Sequence, residues 1–360
     1  MSTGPEDFVT NEEEELPALE LSVIVPSRNE ERSLGDCLAS LVRQSEPGFA
    51  LGVDWELIVV DDASTDGTRA IAEGFAGVTI LEAPPLDLTD RGGFTGKNNA
   101  CWTGAQTARG KWLLFTDADT VHEIGDLSRS LREAEKHKVS LLSYSPRQLS
   151  TGFWQQAVMP LVFSELASVY PMKAVNDPDN RLAAANGQFL LVERDAYFSV
   201  GGHRAIGTQV LEDVALARNI KRGPRPIRFR YAPEALSTRM YRTTGEMVEG
   251  WTKNLAILMP SPIALALWRI LDLMLFFGLP ALIFTVPQKF PYQGAVFFLL
   301  WVRTCFRFYN RVMRANFPFF ESMISILGIP LFVYLLFRSV IDHRINKNVS
   351  WKGRSYVTGR

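Results

Sequence analysis

The sequence predicts an α/β fold in which a mostly parallel sheet carries helices on both faces and is followed by a C-terminal α-helical membrane region. Three observations carry that expectation. Short apolar strands alternate with segments of helical periodicity through the first 120 or so residues. Acidic residues stand directly after several of those strands, and beyond about residue 260 the composition turns strongly apolar.

Taken in order, residues 21–25 are a short β-branched run ended by Pro26, the pattern of a buried strand. Residues 30–45 place Leu34, Leu38, Leu41 and Val42 at helical spacing. A second strand, 55–60, stops at Asp61-Asp62, and 65–75 reads as a helix with Ser64 or Thr65 as its cap. A third strand covers 78–81, an Ala-rich helix 97–108, and a fourth strand 112–116, which runs into Asp117. Strands that alternate with helices form parallel sheets, and ligands of such sheets lie beyond the carboxyl ends of the strands. Pro26, Asp61-Asp62 and Asp117-Ala118-Asp119 all fall there. Further on, 139–145 and 188–193 read as strands, 154–170 as a helix containing Pro160, and 171–186 as a polar loop near an acceptor.

The organisation expected is a disordered acidic tail over 1–20, a catalytic domain over 21–255, membrane-associated helices over 256–342 and a basic tail over 343–360. The run Asn11-Glu12-Glu13-Glu14-Glu15 has no apolar periodicity, and nothing before it looks like a signal peptide. Residues 263–286 and 317–337 are each long enough to span a bilayer. The stretch 290–309 between them is weaker, because it holds Arg303 and Arg307. Buried helices of a soluble protein are the bland alternative, but three such segments in succession, rich in Phe and Trp, favour the membrane.

Composition narrows the partners. A net charge of −1 provides no basic field for nucleic acid. Three widely separated cysteines, Cys37, Cys101 and Cys305, provide neither a zinc nor a disulfide framework, which suits a reducing cytosol. No G-x-G-x-x-G follows the first strand, which argues against a dehydrogenase.

Three acidic sites carry the chemistry. Asp61 and Asp62 can accept hydrogen bonds from a uracil or a ribose, or simply form a turn. Asp117 and Asp119 flank a small residue, so both carboxylates can face a cleft and hold a hard divalent cation, Mg2+ or Mn2+, against two phosphates. Asp119 is the first candidate ligand, with Asp117 closer to the ribose or to a metal-bound water. His122 is either a further ligand or a histidine behind the site or on the surface. Asp213 opens a helix and is the candidate base for an acceptor hydroxyl, with Glu212 supporting the acceptor site. An acidic helix N-terminus favoured by the dipole is the bland reading of the same pair. Lys97, at a helix start, can meet phosphate or sugar oxygens.

Val23-Ile24-Val25-Pro26-Ser27-Arg28-Asn29-Glu30, Val59-Val60-Asp61-Asp62-Ala63-Ser64-Thr65-Asp66-Gly67-Thr68, Asp117-Ala118-Asp119 and Glu212-Asp213 together resemble the family 2 glycosyltransferases across roughly 20–255. The resemblance implies a Rossmann-like two-lobed nucleotide-diphospho-sugar transferase fold and inversion at the anomeric carbon. It also implies Pro26, Arg28, Glu30 and Asp62 near the nucleotide, Asp119 on the metal and Asp213 as base. Gly96-Lys97-Asn98-Asn99-Ala100, Gly201-Gly202 and Trp351-Lys352-Gly353-Arg354 look like the lipid-glycosylating branch, which includes ceramide, hopene-associated and carotenoid glycosyltransferases. That branch suggests an acceptor site at Asn186, Gly187, Gly202 and Trp251, although Asn186-Gly187 also reads as a turn. The Gln-x-x-Arg-Trp signature of processive synthases is reduced here to Trp251, which favours transfer of a single sugar. Arg239, Arg242 and Lys253 are candidates for the departing diphosphate.

The expectation is therefore a membrane enzyme that moves a sugar from a UDP- or GDP-sugar to a lipid hydroxyl, with its catalytic domain facing the cytoplasm at the inner membrane. A polyprenyl-phosphate or polysaccharide transferase is the alternative in the same class, and a non-catalytic nucleotide-sugar-binding scaffold the alternative outside it. Basic residues before 317 and after 337, with few near Lys289, place both basic stretches inside. One apolar segment should then be re-entrant or interfacial, and 317–337, interrupted by Gly328 and Pro330, is the candidate. The basic tail returns on this reading to the cytosolic face, close to donor phosphates or anionic lipids.

Overall fold

The structure, a computed structural model, describes residues 19–44, 46–86, 94–223, 225–285, 292–351 and 354–357. The acidic run, Lys289, Lys352, Gly353 and Arg360 lie outside the described residues. In the first half β1 (Leu21–Ser27), α1 (Leu34–Val42), β2 (Trp55–Asp61), α2 (Thr68–Glu73), β3 (Val78–Glu82), α3 (Gly96–Thr107) and β4 (Trp112–Phe115) alternate. Next come β5 (Thr120–His122), α4 (Asp126–His137), β6 (Leu141–Ser145), β7 (Arg147–Gln148), α5 (Phe153–Val169), α6 (Met172–Asn176) and β8 (Leu190–Glu193). They are followed by α7 (Arg194–Ser199), α8 (Gly202–Ala205), α9 (Glu212–Lys221), β9 (Ile227–Tyr231), β10 (Leu236–Thr238) and α10 (Thr244–Leu258). Three long helices, α11 (Pro262–Thr285), α12 (Gln293–Val312) and α13 (Phe319–Ile341), lead to a hairpin of β11 (Asn348–Trp351) and β12 (Arg354–Val357).

The main sheet has seven strands in the order β3-β2-β1-β4-β8-β6-β9. The first four are mutually parallel, β8 runs antiparallel to both β4 and β6, and β9 is parallel to β6. Period-two alternation divides β1 between two cores. Leu21, Val23 and Val25 pack with Leu34, Leu38 and Leu41 of α1, whereas Ile24 faces the other way onto Ala100 and Ala105 of α3. Burial on both faces is why these strands read as unbroken apolar runs.

Local boundaries differ from the sequence expectation in three places. β1 continues through Pro26 to Ser27, alongside Val60 and Asp61 of β2, because β4 pairs only as far as Ile24 and leaves that side of Pro26 without a ladder to satisfy. α2 starts at Thr68 with no side-chain cap, since Ser64 accepts the Asn29 N–H and the Thr65 N–H donates to the Asn29 side chain. The expected loop 171–186 contains α6.

The largest correction concerns α13. Gly328 and Pro330 were expected to interrupt it, but the helix is continuous for 23 residues. Gly328 is a point of contact rather than a break. A β-carbon there would stand 2.3 Å from the Ala157 carbonyl oxygen of α5. Along the most apolar stretch of α13 half the residues are buried, against 17% for α11. A third core, formed by Val158, Leu161 and Val162 of α5, Trp251 and Leu255 of α10 and Ile329, Phe332 and Leu336 of α13, accounts for that burial. Gly328→Val is expected to destabilise the protein by about 3 kcal/mol, toward the upper end for overpacking, because the obstacle is backbone that cannot rotate away. Thermal unfolding in detergent measures this, and an unchanged melting temperature would contradict the close packing of α13 on α5.

Candidate active site

Two facing strand ends shape one wall of the site. After β1 and β2 the chain makes left-handed turns at Asn29 (φ 52°) and Ala63 (φ 53°), costly conformations for residues other than glycine. They are held by cross-links between the two segments. Arg28 donates from Nη1 to the carbonyls of Asp62 (2.6 Å) and Ala63 (3.2 Å), the Glu30 N–H donates to Thr68 Oγ1 (2.7 Å), and the Gly67 N–H donates to Glu31 (3.1 Å). Asp61 Oδ1 accepts the Ser64 N–H at 3.1 Å, so this carboxylate closes the turn. Asp62, Pro26, Arg28 and Glu30 line a polar cleft of about 650 Å³, and Asp61 is not among its lining residues.

The floor of the cleft is an ionic chain. Lys97, in the first turn of α3, lies 2.7 Å from Asp117 Oδ1 and 2.7 Å from Glu212 Oε1. Burial alone would lower the Lys97 pKa, but the two carboxylates hold it well above the ordinary lysine value. Burial raises Asp117 in spite of Lys97, whereas Lys97 outweighs burial at Glu212 and holds it low. The sequence offered Lys97 to phosphate or sugar oxygens. The structure places it in the lining of the cleft and joins it there to the two acidic motifs, which stand far apart in the chain.

Asp213 follows Glu212 in the first turn of α9. Its Oδ2 accepts the Gly187 N–H at 2.9 Å, and its Oδ1 accepts the Val214 N–H at 2.7 Å. Burial, then the neighbouring Glu212 charge, push its carboxyl up to about 7, against the opposing effects of Lys97 and the two N–H donors. Gly187 occupies a tight turn between Asn186 and Phe189, where a β-carbon would stand 2.8 Å from Lys97 Nζ and 3.2 Å from Glu212 Oε1. The turn reading of Asn186-Gly187 holds, and both residues line the cleft. The turn presents an N–H to the carboxylate, and a side chain at 187 would push against the Lys97 ammonium and Glu212.

Asp117 and Asp119 both line the cleft. Among the described residues no group of three metal-ligating side chains is present. A pair of carboxylates fits Mg2+ or Mn2+ nonetheless, since these ions take one or two protein carboxylates and complete their shell with phosphate oxygens and water. His122 is not part of that set. Its side chain is fully buried, Nδ1 meets Asp126 Oδ2 at 2.8 Å, and Nε2 meets Thr116 Oγ1 at 3.0 Å. With both nitrogens engaged, the ring has none to offer a metal.

Gly202 likewise falls outside the cleft and the cavity beside it. It lies under Tyr197, where a β-carbon would come within 2.4 Å of the ring, so it is a packing glycine of α8. Trp251 is 3% exposed, and its Nε1–H points at Met159 Sδ (3.3 Å). It borders that second, mainly apolar cavity of about 920 Å³, whose walls come from α5, α9 and α10 and the segment around Phe317. Asn186, Leu211, Asp213, Met240 and Asn254 line both spaces, so Asp213 stands in the wall they share. Arg239, Arg242 and Lys253 line the polar cleft. Asn254 had no sequence signal, because it sits mid-helix in α10 and reaches the site only through the packing of that helix.

Residues 22–197 match the family described as Glycosyl transferase family 2. Over 247 residues, 66% of this chain, the sequence is 29% identical to 4,4'-diaponeurosporenoate glycosyltransferase of Staphylococcus aureus strain USA300, and 28% identical to that of strain MRSA252. The match spans 60% of the length of those relatives. Among solved structures the chain is similar to a mannosyltransferase from Pyrobaculum calidifontis in complex with GDP-Man and Mn2+. The TM-score is 0.51 at 18% identity, covering 91% of this chain and 88% of the other. That likeness is one of fold, a Rossmann-like α/β architecture.

Proposed function

We propose that the protein, whose residues 22–197 match the family described as Glycosyl transferase family 2, transfers one sugar from a nucleotide-diphosphate sugar to a lipid-like acceptor, with Asp213 as general base. The observation that carries this reading is the position of Asp213 in the wall between the polar cleft and the apolar cavity. The donor occupies the polar side, where Pro26, Arg28, Glu30 and Asp62 line the nucleotide end. Arg239, Arg242 and Lys253 supply positive charge for the diphosphate. The apolar cavity takes the acceptor, so that its nucleophilic oxygen meets the sugar beside Asp213. Kinship with a carotenoid glycosyltransferase supports an elongated apolar acceptor.

The acceptor oxygen forms a bond to the anomeric carbon as the bond from that carbon to the diphosphate breaks, and Asp213 Oδ receives the acceptor proton. A single displacement inverts the anomeric carbon. A carboxyl pushed up to about 7 is suited to the task, because near neutral pH a substantial fraction is ionised and that form is basic enough to take a proton. Asp119, with Asp117 behind it on Lys97, would hold Mg2+ or Mn2+, which when bound neutralises the leaving diphosphate. Glu212 holds Lys97 in place and raises Asp213 by its charge.

The hairpin of α11 and α12 provides the membrane attachment on this reading, and α13 lies along the catalytic unit. At one end of α13, Glu321 borders the same cavity as Asp213, and near the other Ser339 accepts the Ala256 N–H of α10 (2.8 Å). Just beyond it, His343 Nε2 meets the Lys253 carbonyl oxygen at 2.7 Å. Those contacts support an interfacial α13 and a basic tail on the catalytic side, which faces the cytoplasm.

Ala167→Phe, which fills part of the apolar cavity from α5, separates acceptor from donor. Transfer to a lipid extract is expected to fall at least about ten-fold while hydrolysis of the donor by water is unchanged, because only the acceptor loses its contacts. The assay uses the full chain in detergent with radiolabelled UDP- and GDP-sugars. Equal loss of both activities would remove the acceptor from this cavity.

A further inference from the structure

A second polar cluster lies where the apolar hairpin meets the catalytic unit. α11 and α12 run antiparallel, with the Trp301 Nε1–H donating to the Phe276 carbonyl oxygen at 3.0 Å and Arg307 bonded to Asp272. Arg269 and Asp272 pair at 2.7 Å, with side chains 4% and 3% exposed. Glu165 of α5 stands 3.6 Å from Arg269 and 3.5 Å from Arg311. Three guanidinium groups thus share two carboxylates. One unit of positive charge is left over within the cluster, on its part-exposed side at Arg307 and Arg311.

Arg269, Arg307 and Arg311, with Leu265 and Trp268, line a cavity of about 150 Å³. Arg307 and Arg311 are 40% and 33% exposed, so this cavity opens outward, and Arg307 lies over the Trp268 ring at 5.8 Å. Planar guanidinium groups converging on a small open cavity match the tetrahedral oxygens of a phosphate ester.

The surroundings identify its source. Beyond the cluster, Met274, Phe277, Phe298 and Leu299 present exposed apolar side chains. From Trp268 to the exposed Phe284 the helix advances roughly 24 Å at 1.5 Å per residue, most of a hydrocarbon core. Trp268 and the arginines then stand at the level of the headgroups, where tryptophan and basic residues collect. We infer that this cavity binds the phosphate of an anionic phospholipid headgroup and so sets the depth and tilt of the catalytic unit over the membrane. The inference rests on the membrane attachment proposed above, and neither the donor nor the acceptor site enters it.

Full-length protein is tested for flotation with phosphatidylcholine vesicles and with vesicles that also contain phosphatidylglycerol. The wild type is expected to prefer the second by about ten-fold at low salt. Arg307→Gln with Arg311→Gln removes that preference and leaves Arg269 on Asp272. Circular dichroism checks that this variant is folded. Arg132→Gln with Lys136→Gln, equal in charge but on the exposed face of α4, keeps the preference. Equal loss in both double variants, or retention in the first, overturns the site. Flotation with neither vesicle removes the membrane attachment itself, whereas equal flotation with both removes only the headgroup site. In detergent, short-chain phosphatidylglycerol is expected to raise the melting temperature where inorganic phosphate does not. Equal stabilisation by inorganic phosphate would reassign the cavity to a soluble oxyanion and overturn the lipid.

Discussion

Asp213→Asn is expected to reduce turnover by about 10³-fold while nucleotide-sugar binding is preserved, because a general base contributes on the order of 10²–10⁴ and an amide cannot accept the acceptor proton. The substitution is nearly isosteric. An Asn carbonyl can still accept the Gly187 N–H that Asp213 Oδ2 now accepts at 2.9 Å. The pH dependence has a definite sign. With the carboxyl raised to about 7, kcat/KM of the wild type falls as pH drops below 7, approaching ten-fold per unit, as the base becomes protonated. The same shift has the opposite consequence for stability. The folded state binds this proton more tightly than the unfolded chain, whose carboxyl has the ordinary value of 3.8, so its contribution to stability declines as pH rises from 3.8 through about 7. Above pH 7 Asp213→Asn should therefore melt no lower than the wild type. Full turnover in the variant, or a rate profile without a limb near 7, would show that another group takes the proton.

Asp119→Ala is expected to abolish the metal dependence of donor binding and to lower kcat/KM by about 10³-fold, since the leaving diphosphate loses the cation that offsets its charge. Calorimetric titration of the donor, with Mg2+ or Mn2+ and then with a chelator, separates this from general damage. The wild type should bind far more tightly with metal, and the variant equally weakly in both conditions. His122→Gln provides the contrast. It disrupts a buried pair with Asp126 and lowers stability, yet the metal dependence of donor binding should be intact. A metal-dependent donor titration in Asp119→Ala would displace the ion from this carboxylate.

The legible parts of the site were those whose chemistry and position coincide in the chain. Asp62, Asp117 and Asp119 follow apolar strands, and strand ends in parallel sheets face the ligand, so pattern and place gave the same answer. Asp213 could be named from its helix start. The acidic helix-end reading and the base reading are not exclusive, because the pair sits in the first turn of α9 and at the cleft together. His122 failed for a reason absent from its local sequence. Whether a histidine three residues after a metal motif turns toward the cleft or the core is decided by partners such as Thr116 and Asp126, and here β5 points it inward. Gly202 failed similarly, because a pair of glycines signals tight backbone without saying whether a ligand or a tyrosine ring approaches it.

By itself, the sequence determined the alternating strands, the buried faces of β1 and β2, the carboxylates at strand ends and the apolar C-terminal helices. Each follows from periodicity or residue chemistry within a few turns of chain. Tertiary structure alone decided what joins them. Lys97 becomes the link between Asp117 and Glu212, Asp213 becomes the wall between a polar cleft and an apolar cavity, and α13 packs continuously on α5 where glycine and proline had suggested a break. The physical reason is common to all three. A side chain's partner, its exposure and the charge it carries depend on groups distant in sequence, and only packing brings those groups within a few ångströms.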